Sequence, residues 1–415
     1  MSASEKKVLI VGGGLAGLAC ALRLQAAGAR PLIFERSDGV GGRVRTDQLD
    51  GFLLDRGFQV FLDAYPEAGD LLDKESLDLR AFRPGALIYR TSGRVRMMDV
   101  FREPRHLLES ALAPVGSLAD KLRVARLRWR LMRLTTKEIA GHEDITTESY
   151  LRRAGFSPPM IDGFLRSFYG GIFLERELQT SSRMFEFTFK MFSQGSATLP
   201  SRGMGEIPRQ LASRLPPGTI RLGAQVTRIQ PGSITLESGE HFRGDAVVVA
   251  TDATTAAGLV SAGGIDGPVW RSVTCLYFAA ARSPLCESII ALNGTGCGLV
   301  NNVCVPSDLA PAYAPPGRAL VSVSVLGTVD SADLESRVLA ELEAWFGGAV
   351  REWRHLRTYR IERALPRQEP GNGFTGPGFR QAAGVYVCGD HLWSASIEGA
   401  IISGLRTADA ILKPS

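Results

Sequence analysis

Apolar residues are spaced along this chain in more than one rhythm, and each rhythm predicts a different element. Unbroken runs come at Val8–Val11 (VLIV), Pro31–Phe34 (PLIF) and Ala246–Ala250 (AVVVA). These read as strands covered on both faces. Between the first two, Leu15–Ala27 repeats at helical spacing and Gly28 ends the helix. Residues 222–251 break into short strands and hairpin turns that lead into the Ala246–Ala250 strand. Residues 397–405, IEGAIISGL, predict a closing helix.

Leu118–Leu134 is also helical but carries two apolar stripes. Leu118, Leu122, Ala125, Trp129 and Met132 form one, and Val124, Leu127, Leu131 and Leu134 the other. Arg123, Arg126, Arg130 and Arg133 run between them. A free interfacial helix has one broad apolar face instead. Such a helix either packs one stripe and dips the other into lipid, with arginines at the headgroups, or is a core helix with a solvated arginine row.

Composition changes the picture little. The 415 residues are 45% apolar and 22% charged, enough for two or three domains or two interleaved ones. The longest uncharged stretch, 288–307, is broken by Gly, Asn and Pro, so no spanning helix is expected. Met1–Lys7 is short and polar, so no secretory signal is expected either. The six cysteines have no paired spacing and read as reduced thiols of a cytoplasmic protein. With five scattered histidines, no metal site is expected. Net charge is only +5, but Arg80–Arg133 holds thirteen Lys/Arg against four Asp/Glu. That local patch suits an anionic membrane surface or an acidic partner, and no nucleic-acid partner is expected.

The first strand and helix meet at G-x-G-x-x-G, formed by Gly12, Gly14 and Gly17. The first glycine makes the turn, the second lets backbone approach a pyrophosphate, and the third packs helix on strand. The helix start, Leu15 and Ala16, places free N–H groups and a positive dipole end beside that phosphate. Glu35, followed by Arg36, closes the second strand where an acid accepts hydrogen bonds from a ribose. The strand–turn–helix–strand–acid order makes a dinucleotide site the reading, against a glycine turn without a ligand.

Gly41-Gly42-Arg43, in SDGVGGRVRT, follows directly and resembles the signature of the flavin amine oxidase superfamily. That superfamily includes amine oxidases, protoporphyrinogen oxidase and carotenoid desaturases. The resemblance covers residues 6–60, 200–252 and 361–412 and implies FAD as cofactor. It implies Gly42 and Arg43 along the FAD phosphates, Val226 at adenine, and Ala250 and Thr251 at the returning strand. GVYVCGD, 384–390, resembles the family's closing strand, with Gly389 beside the cofactor and Asp390 at the ribityl chain. Ser396 and Ile397 would lie beside the flavin ring, and Gly57-Phe58-Gln59 would pass close to it.

The implied fold is α/β: a Rossmann-type FAD-binding domain interleaved with a mixed α+β substrate domain. The expected FAD-binding parts are 1–62, 195–268 and 361–415; the substrate parts are 63–194 and 269–360. Amine oxidases of this superfamily typically carry an aromatic residue at the Ser396 position, one wall of a cage for a neutral amine. Serine is too small for that. Ala395-Ser396-Ile397-Glu398-Gly399-Ala400 instead resembles the desaturase and squalene-pathway branch. That branch implies hydride abstraction from an apolar, isoprenoid C–H bond to flavin N5. The partner is then a hydrophobic small molecule, with peripheral membrane contact through Leu118–Leu134. Phe185, Phe187 and Phe189 are candidate cavity residues, and Tyr65 is expected to pack. No side chain stands out as acid, base or nucleophile; Glu398 reads as a dipole partner or structural ligand. An amine or amino-acid oxidase, a redox-neutral flavin isomerase and a non-enzymatic flavin-stabilised scaffold remain alternatives.

Overall fold

The computed structural model describes residues 6–260, 270–372, 379–382 (main chain) and 384–413. The division expected at 268/269 lies outside the described residues. A six-stranded sheet runs in the spatial order Ile220–Arg221, Arg30–Phe34, Lys7–Val11, Ala246–Val249, Val385–Val387, Phe379–Ala382. The first five strands are parallel and the last is antiparallel.

The unbroken apolar runs follow from what covers this sheet. Val8, Ile10, Ala246 and Val248 belong to a core shared with the helices Leu15–Ala26 and Ile397–Leu412. Leu9, Val11, Val247 and Val249 face the other way, against Ile234 and Leu236 of a three-stranded antiparallel sheet (Val226–Gln230, Ser233–Leu236, His241–Arg243). Both sides of each strand are therefore apolar. The two helices touch closely because position 404 is glycine: a Cβ there would overlap the Ala16 carbonyl oxygen.

A second, seven-stranded sheet has the order Arg354–Pro366, Trp270–Ala280, Ala319–Leu326, Val300–Cys304, Ile290–Asn293, Gly85–Arg90, Gly93–Met98. One face buries Leu276, Phe278, Val321 and Val323 against Val338 and Leu342 of the helix Leu334–Phe346. The other face looks into a cavity, closed on its far side by helical segments that include Leu118–Met132, Arg166–Phe173 and Ser182–Gln194. Cys20, Cys275, Cys304 and Cys388 are buried core residues, while Cys286 and Cys297 are exposed; all six are free thiols.

The Leu118–Met132 helix begins at a reciprocal cap. The Ser117 hydroxyl accepts from Asp120 N (3.2 Å), and the Asp120 carboxylate accepts from Ser117 N (2.7 Å). Its stripes part company. Leu127 and Leu131 are buried, whereas Leu118, Leu122, Trp129 and Met132 are exposed by 63, 72, 58 and 44%. Among the described residues no helix is long and apolar enough to cross a membrane.

Candidate active site

Nearly every sequence-predicted residue converges on one cavity of about 1500 Å³. Gly12, Gly14, Leu15, Ala16, Glu35, Arg36, Gly42, Arg43, Gly57, Phe58, Gln59, Val226, Ala250, Thr251, Gly389, Asp390, Ser396 and Ile397 all line it. Gly17 does not. A Cβ at Gly17 would overlap the Gly12 carbonyl oxygen, so its task is close packing of helix on turn.

At the turn itself Gly12 has φ +109°, and any side chain there would press on the Ala250 carbonyl at 2.6 Å. Gly14 differs: its φ is −74°, and a Cβ there would meet nothing within 4 Å. Open space above Gly14, at a helix start whose N–H groups have no side-chain cap, leaves room and free donors for a pyrophosphate. Beside the turn, the Glu35 carboxylate is aimed by Gly13 N–H (2.7 Å) and by the N–H (2.9 Å) and hydroxyl (2.7 Å) of Ser37. Its oxygens retain lone pairs for ribose hydroxyls. The residues present fit FAD.

Further along, Arg43 Nη2 donates to Asp390 Oδ1 at 2.7 Å and Nη1 to the Ala364 carbonyl at 3.0 Å. The family resemblance implies separate partners for these two residues, phosphate and ribityl; the structure joins them directly. Guanidinium has five N–H donors, so Arg43 keeps others for a phosphate. Gln59 Nε2 donates to the Arg43 carbonyl (2.9 Å), tying the Gly57–Gln59 loop to the same turn.

Asp55, which sequence reasoning missed, anchors that loop from behind. It is buried and accepts from the Thr46 hydroxyl (2.5 Å), the Tyr313 phenol (2.8 Å) and Met204 N–H (2.9 Å). Burial pushes its carboxyl up to about 6. An acid beside Arg56-Gly57 was visible in LLDRGF, but its three partners come from distant segments.

Ser396 is the N-cap of the closing helix: its hydroxyl accepts from Gly399 N–H at 2.9 Å. An aromatic residue there would lose that bond. Glu398, two residues on, accepts from Glu67 N–H (3.0 Å) and Ala68 N–H (2.8 Å), capping the short helix Pro66–Leu71. Burial pushes its carboxyl up to about 7. Tyr65, just before that helix, stacks on Phe187 with ring centroids 6.1 Å apart and also lines the cavity.

Beyond the Ser396 turn the wall becomes apolar: Met160, Phe164, Phe168, Ile172, Phe189 and Phe192. Of the three phenylalanines expected to line a cavity, only Phe189 does. Phe185 and Phe187 are buried behind it at 0 and 2% exposure, because the helix turns those positions toward Tyr169 and Tyr65. Arg271 and Thr180 bring polar groups into this wall. Arg271 Nη2 contacts Glu175 Oε2 at 2.5 Å, and Glu175 also takes the N–H (2.6 Å) and hydroxyl (2.5 Å) of Thr180. Sequence reasoning missed this pair, since no local pattern links positions 175 and 271. Four wall carboxylates each hold an arginine: Asp47 with Arg56, Asp99 with Arg128, Asp252 with Arg363, Asp390 with Arg43.

A mostly parallel sheet with a glycine cradle, a buried acid at the end of its second strand and a large adjoining cavity is the arrangement of a dinucleotide-binding protein with room for a second molecule beside the cradle. The pattern of flavin containing amine oxidoreductases matches residues 15–412, and the chain belongs to that family. It is an FAD-dependent oxidoreductase. Phytoene dehydrogenase of Streptomyces griseus is 26% identical over 281 residues, 59% of this chain and 54% of that protein. Protoporphyrinogen oxidase 2 of Arabidopsis thaliana is 28% identical over 169 residues, 40% of this chain but only 32% of that protein. The chain thus matches about a third to a half of these relatives' lengths. An oxidoreductase from Methanosarcina mazei has the same fold, with TM-score 0.74 at 18% identity, covering 98% of this chain and all of the other.

Proposed function

We propose that this protein desaturates an apolar, isoprenoid-type substrate with FAD as the oxidant. The observation that carries the reading is one continuous cavity running from the Gly14 cradle to the phenylalanine-lined chamber, with serine rather than a ring at the junction. Bound FAD supplies a two-electron acceptor, so that a hydride leaves one substrate carbon and a proton is lost from its neighbour.

The chain's own residues bind and orient. Gly14, Leu15 and Ala16 would hold the pyrophosphate, Glu35 the adenosine ribose, and Arg43 with Asp390 the stretch between phosphate and ring. Ser396 and Ile397 open the Ile397–Leu412 helix, whose N-terminus would favour negative charge on a flavin ring held beside it. Phe164, Phe168 and Phe189 would exclude water and hold a hydrocarbon by burial. The desaturase and porphyrinogen-oxidase relatives support an apolar or flat, hydrophobic substrate.

The test is anaerobic mixing of holoprotein with isoprenoids in micelles and, separately, with primary and secondary amines. Isoprenoids are expected to bleach the oxidised-flavin band. Bleaching by amines alone would overturn the proposal and make this an amine oxidase.

A further inference from the structure

The geometry points to a docking face for an anionic lipid membrane, built by residues 101–132 at the mouth of the cavity. This inference rests on the proposed apolar substrate and names where that substrate enters. Nine large apolar side chains are conspicuously exposed among the described residues, and eight of them lie between Phe101 and Met132. Leu108, Leu112 and Leu122 are each 72% exposed. They come from two neighbouring helices, Leu107–Leu112 and Leu118–Met132, joined by five residues. A concentration of that kind marks an interaction surface rather than scattered surface leucines.

The arrangement is that of a helix packed on one stripe and presenting the other outward. Around Leu118–Met132 the exposed side runs Met132, Leu118, Trp129, Leu122 and then Arg133, Arg126, Arg130, at 100° per residue. An apolar strip is thus bordered by cations, which suits acyl chains meeting phosphate headgroups. Arg133 stacks over the Trp129 ring at 3.5 Å, and neither Arg126 nor Arg133 has a carboxylate partner among the described residues. Arg130 is committed to Glu186. The sequence excess of thirteen Lys/Arg over four Asp/Glu between Arg80 and Arg133 adds long-range attraction of the same sign.

The patch is also continuous with the active site. Phe101 and Leu107, exposed by 55 and 58%, line the cavity, as do Ala111, Lys121 and Val124 from the same two helices. These residues form a rim between chamber and surface. A hydrocarbon leaving a bilayer there would pass along apolar wall without entering water. A second copy of the chain would also cover apolar surface, but paired copies would bring two arginine borders together; phosphate headgroups satisfy them.

The probe is flotation of holoprotein with vesicles of phosphatidylcholine alone or mixed with phosphatidylglycerol. The double variant Leu108→Glu, Leu122→Glu changes only exposed residues outside the cavity lining. Wild type is expected to float with anionic vesicles, to lose tenfold or more in binding without phosphatidylglycerol or at high salt, and to lose tenfold or more in the double variant. Flavin content should be unchanged in that variant. Wild type that stays unbound, or a variant that binds equally well, overturns the membrane face. So does a wild-type dimer that the variant converts to monomer, which assigns the patch to a second copy. Micellar isoprenoid tests the chamber separately. If it reduces the variant's flavin normally while vesicle-borne isoprenoid does not, the face serves entry. If it reduces neither protein's flavin, the substrate proposal fails independently of vesicle binding.

Discussion

Glu398 reaches from the closing helix to the main-chain N–H of Ala68, 2.8 Å away, and so ties the cofactor side of the cavity to the start of the Pro66–Leu71 helix. The carboxyl is 1% exposed, and burial lifts it from 4.5 to about 7. Its folded-state value lies above its unfolded one. Its favourable contribution is therefore complete below about pH 4.5 and is lost as pH rises through about 7. Asp55, lifted from 3.8 to about 6, acts in the same direction. Glu398→Gln removes one of these titrations. As pH goes from 5 to 8, wild type should lose up to about 3 kcal/mol relative to the variant. Paired denaturant titrations at both pH values check this.

The glycine cradle separates folding from cofactor binding. Gly14→Val puts a side chain into open cavity, so apoprotein stability should stay within about 1 kcal/mol of wild type. Bound FAD should be lost. Gly17→Ala drives a Cβ onto the Gly12 carbonyl oxygen and should cost about 2 kcal/mol or more before any question of flavin. Melting of the apoproteins and flavin absorbance after reconstitution distinguish the two.

Asp390 is nearly buried beside Arg43, with side-chain exposures of 7 and 34%. Arg43→Met leaves that carboxylate without its cation and should destabilise the apoprotein by about 3 kcal/mol. Arg43→Met with Asp390→Asn should recover much of that loss, because no buried charge is stranded. Both should bind FAD more weakly. A double-mutant cycle on apoprotein melting measures the coupling.

Ser396→Ala removes the cap on the Ile397–Leu412 helix and should cost about 1 kcal/mol, while Ser396→Thr should restore it. Thermal melts of the three proteins decide this. Equal melting of wild type and Ser396→Ala would mean the serine is small for some reason other than capping.

Local physics made the glycine turn and its sheet readable in advance. Buried strands, G-x-G-x-x-G and Glu35 follow from short-range spacing, and the structure brings them together at the end of the parallel strands of one sheet. The substrate side was less legible. Phe185, Phe187 and Phe189 share one helix and one composition, yet only tertiary packing decides which of them meets the chamber. Glu175 and Arg271 are neighbours only through chain crossing, as are Asp55 and Tyr313. The helix Leu118–Met132 lies between these cases. Its two stripes were visible in sequence, but which one is buried depends on the helices beneath it.

The decisive measurement is a single anaerobic turnover followed by mass analysis of the recovered isoprenoid, with flavin reduction followed in the same sample. Desaturation gives a product lighter by two hydrogens, in equal amount to the flavin reduced. An isoprenoid recovered at unchanged mass, or rearranged without net flavin reduction, would contradict desaturation and identify a redox-neutral isomerase or a binding protein instead.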